Sequence, residues 1–209
     1  MKKFAVIGLG NFGFHAAKTL YAEGHEVIAV DKDRSRVQAI DAFSTEAIVL
    51  DAMDREALKS LGLEEMDAVL ISTGTNISIS TLICLYLHEM NVQRILVKAN
   101  DDDHAKILKK VGATDIIFPE RDMASRVARS LSRPNVLDFI PISDQYDIIQ
   151  IEPPKEFIGK TIRELNLRAK YNVHIIAIKE LDSDEFILIP QPDDRLNDHS
   201  IMVIIGRSE

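Results

Sequence analysis

The stretch Phe4-Ala5-Val6-Ile7-Gly8-Leu9-Gly10-Asn11-Phe12-Gly13 most narrows what this chain can fold into. An apolar run leads into Gly-x-Gly-x-x-Gly, and a helix pattern follows. A second apolar run, Glu26-Val27-Ile28-Ala29-Val30, ends on Asp31, eighteen residues after Gly13. Strand, glycines, helix, second strand and terminal acid in that order are what a dinucleotide-binding βαβ unit needs. Gly8 permits the tight turn, Gly10 lets backbone approach a pyrophosphate, and Gly13 lets the helix pack closely on the strands. The first-turn N–H groups and the helix dipole then face an anion. Asp31 is placed to accept hydrogen bonds from ribose hydroxyls.

The alternation continues along the chain. Apolar runs recur at Ala47–Leu50, Ala68–Ile71, Ile95–Val97 and Ile116–Phe118, with helix patterns at 11–23, 33–42, 54–61, 76–90 and 101–111 between them. Gly24, Gly62 and Gly112 stand where those helices should stop. Continuous apolar runs suit parallel strands buried on both faces. The pattern predicts an α/β fold, a Rossmann-like doubly wound parallel sheet. Ligands of such sheets bind at the C-terminal ends of the strands.

Pro119 opens a further helix pattern at 119–132, in which Met123, Val127 and Leu131 form one apolar stripe among Arg121, Arg126, Arg129 and Arg133. The stripe suits a partner subunit or the chain's own sheet equally well. Pro134 should end the helix. From residue 136 strand-like runs dominate, at 146–151, 173–178, 186–189 and 201–205, interrupted by one short helix pattern at 161–165. The expected division is therefore 1–134, nucleotide-binding, and 135–209, a small α+β domain.

Composition excludes several classes. A net charge of −8 argues against a broad nucleic-acid surface. No apolar run is long enough to cross a bilayer. Met1-Lys2-Lys3-Phe4 leads straight into the first strand, so no secretory signal is expected. Cys84, the single cysteine, cannot form an intrachain disulfide, and its apolar surroundings predict a buried, inert thiol. These features together predict a soluble cytoplasmic protein.

A catalytic constellation is not legible. The six histidines are scattered, and no H-E-x-x-H, G-x-S-x-G or Walker A sequence occurs. Asp101-Asp102-Asp103-His104 has metal-ligating residue types, but acids at a helix start stabilise its dipole. Asp182-Ser183-Asp184-Glu185 reads as a solvated turn. A small NAD-dependent oxidoreductase is the alternative reading, and it needs a proton donor that the sequence does not display.

The chain resembles the regulatory subunits of bacterial potassium-uptake systems of the Ktr and Trk type. These join an RCK (regulator of K+ conductance) N-domain to an RCK C-domain. The likeness rests on the glycine stretch, on Gly24-His25-Glu26-Val27, Val97-Lys98-Ala99, Phe118-Pro119-Glu120-Arg121-Asp122-Met123 and Asn135-Val136-Leu137. The block Leu165-Asn166-Leu167-Arg168-Ala169-Lys170-Tyr171 is similar to the Ktr version specifically.

The resemblance implies a non-enzymatic protein at the inner face of the cell membrane. Homodimers would assemble into an octameric ring beneath a membrane K+ translocating subunit. Exchange of ATP for ADP, or NADH for NAD+, would change the ring and gate uptake. A nucleotide-sensing domain for a channel or exchanger is a third reading. The resemblance places Gly8, Gly10, Asn11, Phe12 and Gly13 at the phosphates. Asp31 falls at the ribose, with Lys32 next to it among the nucleotide-binding residues, Asp51 and Ala52 at adenine, and Thr73, Gly74 and Lys98 at the same sheet edge. It gives Glu120 to the terminal phosphates, with a divalent cation such as Mg2+. Ktr-type sequences commonly carry Arg where Asn11 stands, so weaker discrimination of ATP from ADP is expected here. The resemblance also implies cyclic di-AMP binding through Asn166, Leu167, Arg168, Ala169, His174 and Pro190, although relatives often have Asn in place of His174.

Overall fold

The computed structural model describes residues 1–74, 76–132, 135–143, 145–180 and 186–207. Arg133, Pro134 and the acidic run 182–185, given above to a helix end and a turn, lie outside these. The chain divides into two compact units, Met1–Pro119 and Glu120–Glu209.

In the first unit, six parallel strands are described in the order β3-β2-β1-β4-β5-β6. They are β1 (Lys3–Ile7), β2 (Glu26–Asp31), β3 (Glu46–Val49), β4 (Ala68–Ile71), β5 (Ile95–Lys98) and β6 (Asp115–Ile117). Helices α1 (Asn11–Ala22), α2 (Arg34–Ile40), α3 (Arg55–Lys59), α4 (Ile77–Glu89) and α5 (Asp102–Lys110) connect them. The strands read as unbroken apolar runs because both faces are covered. Ala5 and Ile7 join one core with Val69, Ile71, Ile83, Cys84, Leu87 and Leu108, while Val6 joins the opposite one with Val27, Ala29, Val37 and Ile40. Cys84 is fully buried, and desolvation pushes its thiol up to about 11. The chain runs outward from β1 through β2 to β3, then returns to β4 on the other side. The switch in direction lies between β1 and β4, where open α/β sheets hold their ligands.

The second unit begins within α6 (Pro119–Ser132). An antiparallel sheet follows, in the order β10-β9-β11-β8-β7, with β7 (Val136–Pro141), β8 (Tyr146–Ile151), β9 (His174–Glu180), β10 (Phe186–Leu188) and β11 (Ser200–Arg207). Helices α7 (Ile162–Leu165) and α8 (Leu167–Tyr171) cover one face, burying Leu165, Leu167, Ile178, Leu196 and Met202 together. Thr161 and Glu164 make a reciprocal capping box that starts α7.

Of these elements β7 and α8 were not evident from pattern. β7 contains Asp138 and ends in Pro141, which only an edge strand tolerates. α8 hides because Asn166, at φ +46, ends α7 and starts α8 within one residue.

Candidate functional site

The turn from β1 into α1 is built by two glycines and opened by a third. Gly8 lies at φ +94, where a Cβ would sit 2.5 Å from the Ser72 carbonyl oxygen. Its N–H donates to Val30 at 2.8 Å, and the Ser72 N–H donates to Ile7 at 2.7 Å, so the turn is pinned to both neighbouring strands. A Cβ on Gly13 would overlap the Gly8 carbonyl oxygen. At Gly10 φ is −63, and a Cβ would meet nothing within 4 Å among the described residues. Open space beside Gly10 is what close approach of a ligand to the backbone requires.

That space faces the N-terminus of α1. The first helical bond runs from Phe14 N–H to Gly10 at 2.9 Å, which leaves the N–H groups of Asn11, Phe12 and Gly13 without helical acceptors. Among the described residues no side chain caps them, and the first turn carries no acid. The other helices of the unit are capped by Asp33, Asp54, Asn76 and Asp101. An uncapped helix end, partially positive through its dipole, beside an open glycine fits a phosphate group.

Asp31, the last residue of β2, is 7% exposed. Its Oδ2 accepts the Leu9 N–H at 2.7 Å and its Oδ1 the Asp33 N–H at 2.9 Å. The acid therefore ties the glycine turn to the β2–α2 loop. Arg36 Nη1 approaches the same Oδ2 at 3.4 Å. Lys32, next in sequence, is exposed.

The remaining first-unit candidates fall on the same strand edge. Asp51 follows β3, and its Oδ1 accepts the Met53 N–H at 3.0 Å; Ala52 beside it is buried. Thr73 and Gly74 follow β4. The Thr73 hydroxyl oxygen is buried with no hydrogen-bond partner among the described residues. An orphaned buried hydroxyl is costly, and a bound group would satisfy it. Lys98 ends β5, two strands from β1, or about 10 Å across the sheet. The sheet thus brings Gly8, Gly10, Asn11, Phe12, Gly13, Asp31, Lys32, Asp51, Ala52, Thr73, Gly74 and Lys98 to one edge. Glu120 lies in the first turn of α6, in the second unit. Among the described residues no group of three or more His, Cys, Asp or Glu is arranged to hold a metal ion.

The acidic run at α5 is a helix start. Asp101 accepts the His104 N–H at 2.7 Å, and Asp103 pairs with Lys106 at 2.7 Å. His104 itself is buried between α5 and α4, with Nε2 3.1 Å from the Ser80 hydroxyl.

In the second unit, Asn166 links α7 to α8, and Arg168 and Ala169 are exposed on α8. Leu167 is 6% exposed in the apolar core. His174 begins β9 and is exposed. The Ile189 N–H bonds Ile176 at 3.0 Å, which brings Pro190 alongside the His174 end of β9.

Sequence reasoning missed three participants. Ser72, whose backbone packs on Gly8, and Asp33, which donates its N–H to Asp31, act through main chain, which leaves no signal in residue type. Arg36 was findable: it stands five residues after Asp31, within reach across the first turn of α2.

Comparison with known proteins agrees with this architecture. Residues 4–119 match the TrkA-N domain and residues 148–209 the TrkA-C domain. The chain is 41% identical over 208 residues to Ktr system potassium uptake protein A of Bacillus subtilis (strain 168), covering 100% of this chain and 93% of that protein. The crystal structure of the GsuK RCK domain superposes with a TM-score of 0.69 at 17% identity, over 99% of this chain and 45% of that one. The GsuK channel bound to NAD gives a TM-score of 0.54 at 21% identity, over 100% of this chain and 37% of that one. The chain spans less than half of those two structures, and at such identity the likeness is one of fold. The full-length relationship to the Bacillus protein, with both domains in order, makes this chain a member of the TrkA-N/TrkA-C family of potassium uptake proteins.

Proposed function

We propose that this chain is a cytoplasmic, non-enzymatic regulatory subunit of a K+ uptake system that senses an adenine nucleotide in its first unit. The observation that carries the proposal is the 41% identity, along the whole chain, to a Ktr potassium uptake protein. The local chemistry fits a nucleotide: uncapped N–H groups at Asn11, Phe12 and Gly13, an open Gly10, and an orphaned Thr73 hydroxyl. In this reading Gly8, Gly10, Asn11, Phe12 and Gly13 hold the diphosphate. Asp31 and Lys32 meet the ribose, Asp51 and Ala52 flank adenine, and Thr73, Gly74 and Lys98 close the far side. ATP or ADP, or NAD(H), supplies the anion, and Glu120 would hold a Mg2+ that accompanies it.

The exposed apolar surfaces are where copies of the chain would meet in a homodimer and an octameric ring beneath the membrane subunit. Met123, Val127 and Leu131 on α6 are 54%, 48% and 84% exposed, and Leu188 and Ile189 at the β10 edge are 71% and 79% exposed. The block of Asn166, Leu167, Arg168, Ala169, His174 and Pro190 is the proposed place for cyclic di-AMP.

Calorimetric titration of ATP, ADP, NAD+ and NADH, with Gly10→Ala as control, tests the nucleotide reading. At φ −63 an alanine fits without strain, so the variant should unfold at the wild-type temperature or slightly above it. Its methyl group would stand where the diphosphate approaches and should weaken binding at least about tenfold. If none of the four nucleotides binds the wild type, or if Gly10→Ala binds all of them normally, the site is misassigned.

A further inference from the structure

Three donors converge on the Asp31 carboxylate, and they are not equivalent. The Leu9 and Asp33 N–H groups are main chain, fixed by the glycine turn and by the start of α2. The third, Arg36, is a long side chain, 52% exposed, whose Nη1 lies 3.4 Å from Oδ2. A carboxylate offers about four lone-pair sites, two on each oxygen. Oδ1 accepts from Asp33 and has one site open. Oδ2 accepts from Leu9 and from Arg36, and so has none.

The adjacent hydroxyls of a ribose grip a carboxylate best when one reaches each oxygen. Oδ1 can receive the first hydroxyl directly. Oδ2 can receive the second only where Arg36 now sits. We propose that Arg36 is a built-in competitor for the ribose subsite, displaced from Asp31 by the diol of an incoming nucleotide; this rests on the nucleotide reading above. Arg36 has somewhere to go, because its Nε already lies 3.9 Å from Asp33 Oδ2. An exposed ion pair of this kind is weak, so the displacement lowers affinity modestly, about twofold to fivefold.

A nucleotide is an anion, and removing a nearby cation should weaken its binding. A displaced competitor predicts the opposite sign, and only for ligands that carry the hydroxyls. The test is calorimetric titration of ADP and of 2′,3′-dideoxy-ADP into the wild type and into Arg36→Met, which keeps an unbranched apolar stem and removes the donors. Arg36 is exposed, and α2 keeps its Asp33 cap, so the variant should fold normally. The expected result is ADP binding about twofold to fivefold tighter in Arg36→Met, with dideoxy-ADP bound no more tightly than by the wild type. Equal or weaker ADP binding in the variant, or equal tightening for both ligands, overturns this inference alone. No ADP binding to either protein overturns the nucleotide reading and this inference with it.

Discussion

His104 is 2% exposed with both ring nitrogens engaged. Its Nδ1 accepts the Asn100 N–H at 3.2 Å, so that nitrogen carries no proton. The Ser80 hydroxyl donates to Ile77 at 3.1 Å, which leaves its oxygen to accept from His104 Nε2–H, also at 3.1 Å. The ring is therefore the neutral Nε2–H tautomer, and it ties the loop after β5 to the first turn of α4. Burial lowers its pKa from the ordinary value, with Asp101 opposing in part. Above about pH 6.5 the ring is neutral whether the chain is folded or not. As pH falls below that, the unfolded chain takes up the proton first, and folding loses stability. Asp33, Asp115, Asp138 and Glu164 are held below their usual range by hydrogen bonds, so their losses belong to more acidic conditions. We expect the unfolding temperature to fall between about pH 6.5 and 5, and the fall to be shallower in His104→Asn, whose side-chain oxygen can still accept from Asn100. Thermal melts of both proteins across that range check this; parallel curves would remove His104 from the account.

At the scale of the element, α6 turns its polar side to its own sheet. Arg126 makes a bidentate pair with Asp138 of β7 at 2.8 and 2.5 Å, Arg129 lies 4.8 Å from the centre of the Phe139 ring, and the Ser130 hydroxyl donates to Val136 at 3.1 Å. Met123, Val127 and Leu131 lie on the adjoining face and stay exposed. Periodicity alone located this stripe but left open which side met the sheet, because both faces recur at helical spacing. The pairing with Asp138 decides it, and Asp138 lies in a strand that its own pattern concealed. The glycine turn was legible for the opposite reason: only glycine meets the steric demands at Gly8 and Gly13, so residue type and structure coincide. Asp31 was half legible, its position following from spacing and its two main-chain partners only from the fold. If α6 pairs with a second copy, Leu131→Asp should shift light scattering toward smaller species while leaving the unfolding temperature of each unit nearly unchanged. An unchanged assembly would mean that the stripe serves another partner.

At the scale of the whole molecule, a regulator needs a difference between ligands more than it needs tight binding. Carrying a two-state equilibrium from 1:99 to 99:1 takes about 5.5 kcal/mol of differential affinity. In the proposed ring, eight copies switching together would share that, at about 0.7 kcal/mol per site. ATP and ADP differ only at the terminal phosphate, so the difference must arise at the groups that meet it. In the proposed site that position would fall to Asn11 at the mouth of α1, exposed and uncharged. A hydrogen bond to a charged group contributes about 1.5–3 kcal/mol. Asn11→Arg should therefore raise the ratio of ATP to ADP affinity about tenfold to a hundredfold. The same arginine would stand at the positive end of α1, an unfavourable place by about 0.3–1 kcal/mol. The ligand-free variant should then melt slightly below the wild type and recover more than that difference when ATP is added. Paired titrations and melts give both quantities from one protein. A ratio that stays put while the ligand-free melting temperature falls would show that the side chain at this position never reaches the terminal phosphate, and would move the discrimination to basic groups elsewhere in the assembly.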